Sequence, residues 1–314
     1  MRTNVIVAEY MKNLYNQCMV RQRLPKILLL GADGQLGADL AREFGQDDLV
    51  KAAEQEFDVT VPESVRKLVM ETAPGVVLNA TAYNNVPDCE INTGMAFKIN
   101  ATGVRNIALA CRETDAKLVH FSTDYVFDGE KGSAYDEEDV PSPINAYGIS
   151  KLCGEYFACL APSHCIVRLS GLFGTAGCKT KGGTNFAKKI IAIGAGTGRA
   201  EVASNIYFSP TYSVDAASKT REIMETGGTG LYHVTNAGDC SWYEFAVEIL
   251  RLARIKAVVT PRDEDPSSAG VRRPACSSLT SCRIAQPRHW KDALADYIAE
   301  FSKSPKGNEE SQCR

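Results

Sequence analysis

The sequence predicts an α/β fold in which a doubly wound parallel sheet carries helices on both faces. Three observations predict it. Short apolar runs alternate along the chain with segments whose apolar residues recur at helical spacing. Several of these runs are apolar throughout, which is typical of strands buried on both faces. A glycine-rich turn, Gly31 to Gly37, joins the first run to the first helical segment, as in nucleotide-binding sheets.

Residues 26–170 hold the regular part of this alternation. The predicted strands are the apolar runs at residues 27–30, 49–50, 76–78, 118–121 and 165–167. The first predicted helix carries Leu36, Leu40 and Phe44 at i, i+4 and i+8 and ends near Gly45. Pro62 opens the second helix, because proline is favoured in a first turn. Further helices are expected over about 95–111 and 147–160.

After residue 170 the regular alternation of predicted strands and helices ends. Five glycines within residues 171–183 predict a loop region over a site. A strand is expected at 231–234, and helices are expected over 185–193, 212–224, 242–253 and 290–301. Residues 260–281 are rich in Pro, Ser and Arg and are expected to be irregular.

The composition excludes several classes of protein. The 314 residues carry 35 Lys and Arg against 38 Asp and Glu, and this net charge of −3 gives no general attraction to nucleic acid or anionic membrane. No apolar run approaches the roughly 18 residues of a membrane-spanning helix. Eleven cysteines without a C-x-x-C pair predict neither a disulfide framework nor a metal site. Residues 1–25 do not resemble a signal peptide, so we expect a cytoplasmic protein.

The glycine turn predicts a dinucleotide site. Gly31, Gly34 and Gly37 have the spacing G-x-x-G-x-x-G between a strand and a helix. The first glycine permits a tight turn, the second lets backbone N–H groups approach a pyrophosphate, and the third allows close packing of helix on strand. This wider spacing is similar to that of the extended short-chain dehydrogenase/reductase superfamily.

The chain therefore divides into four expected parts. Residues 26–170 form an NAD(P)-binding Rossmann-type domain, and residues 171–302 form a mainly substrate-binding subdomain, some of whose segments return to the first domain. Residues 1–25 are an extension outside the fold, and residues 303–314 are a polar tail.

The residues at the end of the second predicted strand bear on whether the dinucleotide is NAD or NADP. An acidic residue at the end of the second strand would bind the ribose 2′-OH of NAD, but Ala53 stands there in our register. Glu54 or Glu56 could serve instead, and Lys51 or Arg42 could meet a 2′-phosphate. We favour NADPH and keep NADH as the alternative.

Tyr147 and Lys151 form a Tyr-x-x-x-Lys pair at the start of a predicted helix. At i and i+4 the two side chains lie on one face, so the ammonium can sit near the phenol. A neighbouring cation favours the tyrosinate, which suits Tyr147 to acid–base work at a carbonyl. Thr123 follows the fourth strand, at the carboxyl edge where ligands bind, and is a candidate to contact the substrate carbonyl. Asp124 and Asp128 could equally be turn-forming carboxylates.

At this point the sequence resembles the dTDP-4-dehydrorhamnose reductases, the RmlD-like group of that superfamily. The matching segments are 31–37, 79–83, 122–129, 138–141, 145–151, 154–155, 184–188, 209–211, 273–274 and 278–279, and the resemblance covers about residues 26–300. It implies reduction of the 4-keto group of dTDP-4-dehydro-L-rhamnose to dTDP-L-rhamnose with NAD(P)H.

The resemblance also implies roles for individual residues. Thr123, Tyr147 and Lys151 would be catalytic, and Tyr147 and Lys151 would also meet the cofactor. The remaining implied cofactor contacts are Gly31, Asp33, Gly34, Gln35, Leu36, Gly37, Asp58, Val59, Ala80, Thr81 and Ala82. Thr123, Asp124, Asn185 and Arg273 are candidates for substrate binding, Arg273 because a diphosphate calls for fixed cations.

One departure concerns the sugar site. Family members carry an aromatic residue after the Arg-x-Ser that follows the fifth strand, whereas Gly171 follows Ser170 here. The exact hexose therefore stays open. Three alternatives remain: a non-catalytic NADP-binding regulator resembling the β subunit of methionine adenosyltransferase, another nucleotide-sugar reductase, or an epimerase. A dehydratase is disfavoured, because Tyr125 stands where those enzymes carry an acid. A homodimer is possible.

Overall fold

The computed structural model describes residues 24–53, 55–178, 182–265 and 270–303. The expected extension at 1–25 and the expected tail at 303–314 lie almost wholly outside the described residues. Among those residues, no helix is long and apolar enough to cross a membrane.

The described chain alternates strands and helices as follows. The strands are β1 Ile27–Leu30, β2 Leu49–Ala52, β3 Val76–Asn79, β4 Lys117–Thr123, β5 Ser163–Leu169, β6 Leu172–Phe173, β7 Arg199–Ala203, β8 Tyr207–Phe208, β9 Thr211–Tyr212, β10 Gly230–His233, β11 Cys240–Ser241 and β12 Val258–Arg262. The helices are α1 Gln35–Glu43, α2 Pro62–Thr72, α3 Val86–Ile91, α4 Thr93–Phe97, α5 Val104–Thr114, α6 Ala146–Ala158, α7 Phe186–Gly196, α8 Ser213–Glu225, α9 Trp242–Leu252 and α10 Trp290–Phe301.

A six-stranded sheet in the order β10-β5-β4-β3-β1-β2 forms the centre of the molecule. Every pair within it is parallel. The order turns back at β1, where the chain goes first to β2 on one side and then to β3 on the other. A crevice opens at such a reversal, outside the carboxyl ends of the strands. The predicted doubly wound α/β fold is confirmed.

Helices cover both faces of the sheet because the strands direct apolar side chains to both faces. Ile27 and Leu29 of β1 pack into one apolar cluster with α1 and α8, whereas Leu28 and Leu30 pack into a second cluster with α2 and α5. All four side chains are fully buried. This alternation is what a strand with a period of two residues requires between two helical layers.

The second half of the chain builds a separate aromatic core and also returns a strand to the sheet. Phe173, Phe245 and Tyr297 are buried together there, with α7, α9 and α10 around them. The strand expected at 231–234 appears as β10, which pairs with β5 at the edge of the main sheet. The sheet therefore contains a strand contributed by the C-terminal part of the chain.

Two regions differ from the sequence expectation. The helix expected over 95–111 is interrupted by a π-helical segment, Lys98–Gly103, which inserts extra backbone before α5. The segment expected to be irregular from 260 begins in β12, which pairs in parallel with β7 and contains Pro261. Proline is tolerated in such a two-stranded edge, so local composition concealed this strand.

Candidate active site

The glycine turn lies directly against the segment after β3. Gly31 has φ +76°, and a Cβ built there would lie 3.1 Å from the carbonyl carbon of Ala80. A Cβ at Gly37 would lie 2.0 Å from the carbonyl oxygen of Gly31. Only glycine fits at position 37, and the positive φ at position 31 is a backbone conformation that favours glycine. The turn is therefore compact enough for its backbone to approach a ligand closely.

Helix α1 begins at the tip of this turn. Gly34 is its N-cap, no side chain caps the helix, and the first turn holds no acidic residue. The N–H groups of a first helical turn have no intrahelical acceptor, and the helix dipole adds partial positive charge there. The turn therefore fits the pyrophosphate of a dinucleotide. Asp33 is half-buried at the tip, and Leu36 packs into the core.

Gln35 points its side chain away from this anion site. Its Nε2 donates to the carbonyl of Leu172 at 3.0 Å, and its Oε1 accepts from Nδ2 of Asn185 at 3.1 Å. Gln35 thus links the glycine turn to the second half of the chain. Only its backbone remains suited to contact a cofactor.

The side chain of Asn79, the last residue of β3, holds the segment that follows the strand. Oδ1 of Asn79, which is fully buried, accepts from the backbone N–H of Thr81 at 3.2 Å and from its hydroxyl at 2.6 Å. Ala80, Thr81 and Ala82 are half-buried beside the glycine turn. This fits the position expected for contacts to a dinucleotide.

Asp58 and Val59 lie beyond β2. Asp58 is exposed, and its Oδ1 accepts from the backbone N–H and hydroxyl of Thr60, which lowers the pKa of the carboxyl. It therefore has the geometry of a turn-forming aspartate. Val59 packs against Gly103, and its carbonyl accepts from Nδ2 of Asn106 at 3.1 Å.

Of the residues considered for the adenosine ribose, Arg42 stands in the last turn of α1, about 10 Å along the helix from the glycine turn, and pairs with Glu300 at 3.2 Å. A contact of Arg42 with a 2′-phosphate stays a prediction. Lys51 and Glu56 are exposed near the end of β2, and Glu54 lies outside the described residues.

Tyr147 and Lys151 occupy successive turns of one face of α6. Lys151 is 1% exposed, its Nζ donates to the carbonyl of Phe121 in β4 at 2.6 Å, and burial lowers its pKa to about 8. Burial also raises the pKa of Tyr147, whereas a hydrogen bond with Thr123 acts in the opposite direction. Helix α6 starts here because Asn145 caps it by accepting from the N–H of Gly148.

Thr123 ends β4 and lies beside Tyr147. Its hydroxyl donates to Oδ1 of Asp124 at 3.0 Å and accepts from the backbone N–H of Tyr125 at 3.2 Å. The three residues that the sequence assigned to catalysis therefore lie around the carboxyl end of β4: Thr123 ends the strand, Lys151 donates to its Phe121 carbonyl, and the ring of Tyr147 meets that of Tyr125.

Two of the expected substrate contacts are turned inward instead. Asp124 is 4% exposed, and its carboxylate also accepts from the hydroxyls of Ser170 at 2.8 Å and Ser277 at 2.6 Å. Asn185 caps α7 by accepting from the N–H of Lys188, and its Nδ2 donates to Gln35 and to the carbonyl of Gly174. The polar atoms of both side chains are engaged within the protein, and their expected contact with a substrate stays a prediction.

Arg273, in contrast, reaches the site through Tyr125. Burial raises the pKa of Tyr125 to about 12, and the positive charge of Arg273 acts in the opposite direction. The Tyr125 and Tyr147 rings meet edge-on with centroids 5.8 Å apart. Arg273 thus supplies a positive charge one aromatic ring away from Tyr147.

Sequence reasoning missed a buried ion pair below the site. Nε and Nη2 of Arg168 donate to the two carboxylate oxygens of Glu155 at 2.9 and 2.7 Å, and the Ser122 hydroxyl donates to the same carboxylate. The arginine and glutamate side chains are 3% and 6% exposed. Glu155 stands four residues after Lys151 on α6, and this i, i+4 spacing was the one available signal.

A second missed residue is Asn100, in the π-helical segment. Its Oδ1 accepts from the N–H of Tyr83 at 2.8 Å, and its Nδ2 donates to the carbonyl of Tyr83 and to the hydroxyl of Ser150. Asn100 therefore ties the chain after β3 to α6. The sequence did not reveal this role, because Asn100 lies within a stretch that was predicted to be one continuous helix.

Gly171, the departure noted in the sequence, lies against an aromatic ring. Its φ is +49°, and a Cβ built there would lie 2.2 Å from the ring carbons Cδ2 and Cε2 of Phe208. Phe208 is buried and stacks on Trp242 with centroids 3.8 Å apart. The position therefore has no room for a side chain, because Phe208 fills it.

The family follows from a comparison with known proteins. The family model described as the RmlD substrate binding domain matches residues 25–303. The chain belongs to the RmlD family. The resemblance drawn from the sequence motifs is thereby confirmed.

Individual members of the RmlD family match over nearly their whole length. A dTDP-4-dehydrorhamnose reductase of Aggregatibacter actinomycetemcomitans is 34% identical, with 88% of this chain and 99% of the relative covered. A dTDP-4-keto-6-deoxy-D-glucose reductase of Streptomyces niveus is 32% identical, with 85% and 94% covered. The crystal structure of a dTDP-4-dehydrorhamnose reductase of Bacillus anthracis in complex with NADP is similar with a TM-score of 0.83, at 34% identity and with 88% and 99% covered.

Within the described ranges, no group of three or more His, Cys, Asp or Glu side chains could hold a metal ion. None of the nine described cysteines forms a disulfide.

Proposed function

We propose that this chain is an NADPH-dependent reductase that converts the 4-keto group of dTDP-4-dehydro-L-rhamnose to the hydroxyl of dTDP-L-rhamnose. The observation that carries the proposal is the position of Tyr147 and Lys151 beside the carboxyl end of β4, which Thr123 forms: Lys151 donates to the Phe121 carbonyl, and the Tyr147 ring meets that of Tyr125. The similarity to reductases named for this substrate supports the substrate class, and the relative that binds NADP supports the cofactor.

Each residue of the site has a distinct role in the proposed reaction. The bound cofactor supplies a hydride for C4 of the sugar. Tyr147 donates a proton to the carbonyl oxygen, Thr123 orients that oxygen, and Lys151 supplies the positive charge that stabilises the developing tyrosinate. The glycine turn and the N-terminus of α1 hold the pyrophosphate through backbone N–H groups. Arg273 and residues 171–302 more generally bind the sugar nucleotide.

The test is an assay of the purified chain with dTDP-4-dehydro-L-rhamnose and with NADPH or NADH. We expect loss of the reduced cofactor's absorbance and formation of dTDP-L-rhamnose, with NADPH the better donor. Cofactor binding without turnover would instead favour a regulatory protein, and it would sink the reductase proposal.

A second substrate is favoured by one observation. Phe208 closes the position of Gly171, where other family members place an aromatic residue on the sugar, so the sugar wall of this chain differs. A relative named for dTDP-4-keto-6-deoxy-D-glucose is also 32% identical. The same assay with that hexose decides between the two: the higher kcat/KM identifies the substrate.

The exposed face of α6 supports a homodimer. Ile149 and Tyr156 lie on it and Leu160 follows its end, and they are 41%, 67% and 39% exposed. Ile91 and Met95 lie on the adjacent α3 and α4 and are 81% and 45% exposed. A surface of this kind commonly marks an interface, and a second copy of the chain would cover it. We expect sedimentation to give a dimer and Tyr156→Glu to give a monomer. A wild-type monomer would refute this assignment.

We also propose a cytoplasmic location, since the cysteines of the described residues are free thiols, which suit a reducing compartment. Fractionation of cells that express the chain checks this location.

A further inference from the structure

Lys151 and Glu155 are two buried charged residues on one face of a single helix. They stand at i and i+4 of α6, so their side chains lie on neighbouring turns. Lys151 is 1% exposed, and the side chain of Glu155 is 6% exposed. Charges removed from water to this degree need partners of opposite charge or hydrogen-bond partners. The proposed mechanism uses Lys151 but gives no role to Glu155.

Both side chains bind the carboxyl end of β4. Nζ of Lys151 donates to the carbonyl of Phe121 at 2.6 Å, and the hydroxyl of the next residue, Ser122, donates to Oε1 of Glu155. Thr123 follows directly and ends the strand. Successive residues of β4 therefore bind the ammonium, bind the carboxylate and supply the hydroxyl that is proposed to orient the substrate.

Arg168 of β5 fixes the carboxylate of Glu155 from the other side. Its Nε and Nη2 donate to the two carboxylate oxygens at 2.9 and 2.7 Å, and the residue itself lies opposite Ser122 in the register of β5 on β4. A bidentate pair with a guanidinium holds a carboxylate in one orientation. The position of the Glu155 charge relative to Lys151 is therefore set by two strands and one helix.

We infer that Glu155 is a positioning residue of the proposed reductase site: it holds the end of β4 against α6 and supplies the negative charge that keeps the buried Lys151 protonated. The inference rests on the proposed function, in which the charge of Lys151 supports Tyr147. Burial lowers the pKa of Lys151 to about 8, and the charge of Glu155 acts against this decrease. Without Glu155, Lys151 would lose its proton at a lower pH.

Several titratable groups near Lys151 are neutral and cannot replace this charge. His120 of β4 is fully buried, and burial and the charge of Lys151 hold the pKa of its ring well below the usual range. Burial raises the pKa of the phenols and thiols on the neighbouring elements: Tyr125, Tyr147, Cys89 and Cys111.

The other charged groups around α6 are directed elsewhere. Glu90 of α3 accepts from the first backbone N–H of α6, five residues before Lys151. Asp124, in the turn after β4, accepts from three hydroxyls. Lys98 of the π-helical segment and the charged side chains of α5 are exposed. Glu155 is thus the carboxylate whose charge acts on Lys151.

The pH dependence of kcat/KM tests this role. Glu155→Gln keeps an acceptor for Ser122 but removes the charge, so the alkaline decline of kcat/KM should move to lower pH by about one pH unit. A purely structural role would lower kcat or stability without moving the decline. In the Lys151→Arg background, Glu155→Gln should leave the shape of the pH profile unchanged, because arginine keeps its charge.

A second variant guards against misfolding, because Glu155→Gln leaves the buried Arg168 without its carboxylate. Glu155→Gln combined with Arg168→Gln removes both charges and keeps polar groups that can bond to each other. Its alkaline decline should also move to lower pH, since the carboxylate stands on the same helix face as Lys151 whereas the guanidinium lies across it on β5. Circular dichroism confirms that each variant is folded.

The matched control is Glu225→Gln. Glu225 also pairs with an arginine, Arg221 at 3.2 Å, but on α8, which packs on α1; its loss should leave the alkaline decline at the wild-type pH. A decline that stays at that pH in both Glu155 variants, or a change of profile that persists in the Lys151→Arg background, would overturn the inference and leave the reductase function intact. An inactive wild type would refute the function and, with it, the inference.

Discussion

Lys151 holds its ammonium in a buried position against a backbone carbonyl of β4. Burial lowers its pKa to about 8, although Glu155 acts in the opposite direction. An exposed lysine titrates near 10.4, so this side chain loses its charge within the range of ordinary assays.

If the positive charge of Lys151 supports Tyr147, kcat/KM should fall as the pH rises through about 8. Arginine keeps its charge at every practical pH, so Lys151→Arg should lack this decline even where its overall activity is lower. The pH profiles of both proteins check the prediction, and a decline near pH 8 that persists in the arginine variant would count against it.

Tyr147 differs from Tyr156, a second tyrosine of the same helix, in its surroundings. Tyr147 is half-buried with its ring against that of Tyr125, whereas Tyr156 is 67% exposed. We expect Tyr147→Phe to lower kcat by at least about 10²-fold, because the proton donor is removed, with NADPH binding largely unchanged. Steady-state kinetics and a fluorescence titration measure both quantities. Tyr156→Phe is the control and should retain turnover; normal activity in Tyr147→Phe would refute the assignment.

At the scale of elements, the junction of β1, the glycine turn and α1 depends on close approach. We expect Gly37→Ala to weaken NADPH binding and to lower the free energy of unfolding by about 1–3 kcal/mol, as overpacking does, because its Cβ would lie 2.0 Å from the oxygen of Gly31. Gly94 in α4 is a matched control, since nothing lies within 4 Å of a Cβ there, and alanine in its place should be neutral or stabilising. Calorimetry measures the unfolding free energy and a cofactor titration measures the NADPH affinity. Equal effects of the two substitutions would contradict the role of close approach at Gly37.

The ion pair of Arg168 and Glu155 joins β5 to α6. Arg168→Met should destabilise the protein by about 3–5 kcal/mol, because it leaves a buried carboxylate without its cation. Replacing both residues, by Arg168→Met and Glu155→Leu, should cost less than the sum of the single changes. Denaturation in urea measures these values. Strict additivity would show that the two side chains do not stabilise each other.

At the scale of the whole molecule, the sequence predicted the features that depend on neighbouring residues. The apolar run of β1, the glycine spacing and the Tyr147–Lys151 repeat are local, so periodicity and turn chemistry were enough to find them. The contacts around Asp124 were not predictable in this way, because Ser277 lies 153 residues away along the chain. The contact of Arg42 with Glu300 was not predictable for the same reason, because 258 residues separate the two along the chain.

Strand β10 has a consequence for any attempt to divide the chain. It covers the free side of β5, although it comes from the region that follows residue 170. A fragment that stops at residue 170 would keep the pairing of β5 with β4 but would leave the other edge of β5 unpaired at residues 165–168, where β10 now pairs with it, and such an edge recruits other strands. We therefore expect the isolated fragment 26–170 to aggregate on expression, so that a soluble cofactor-binding unit requires residues 230–233 as well.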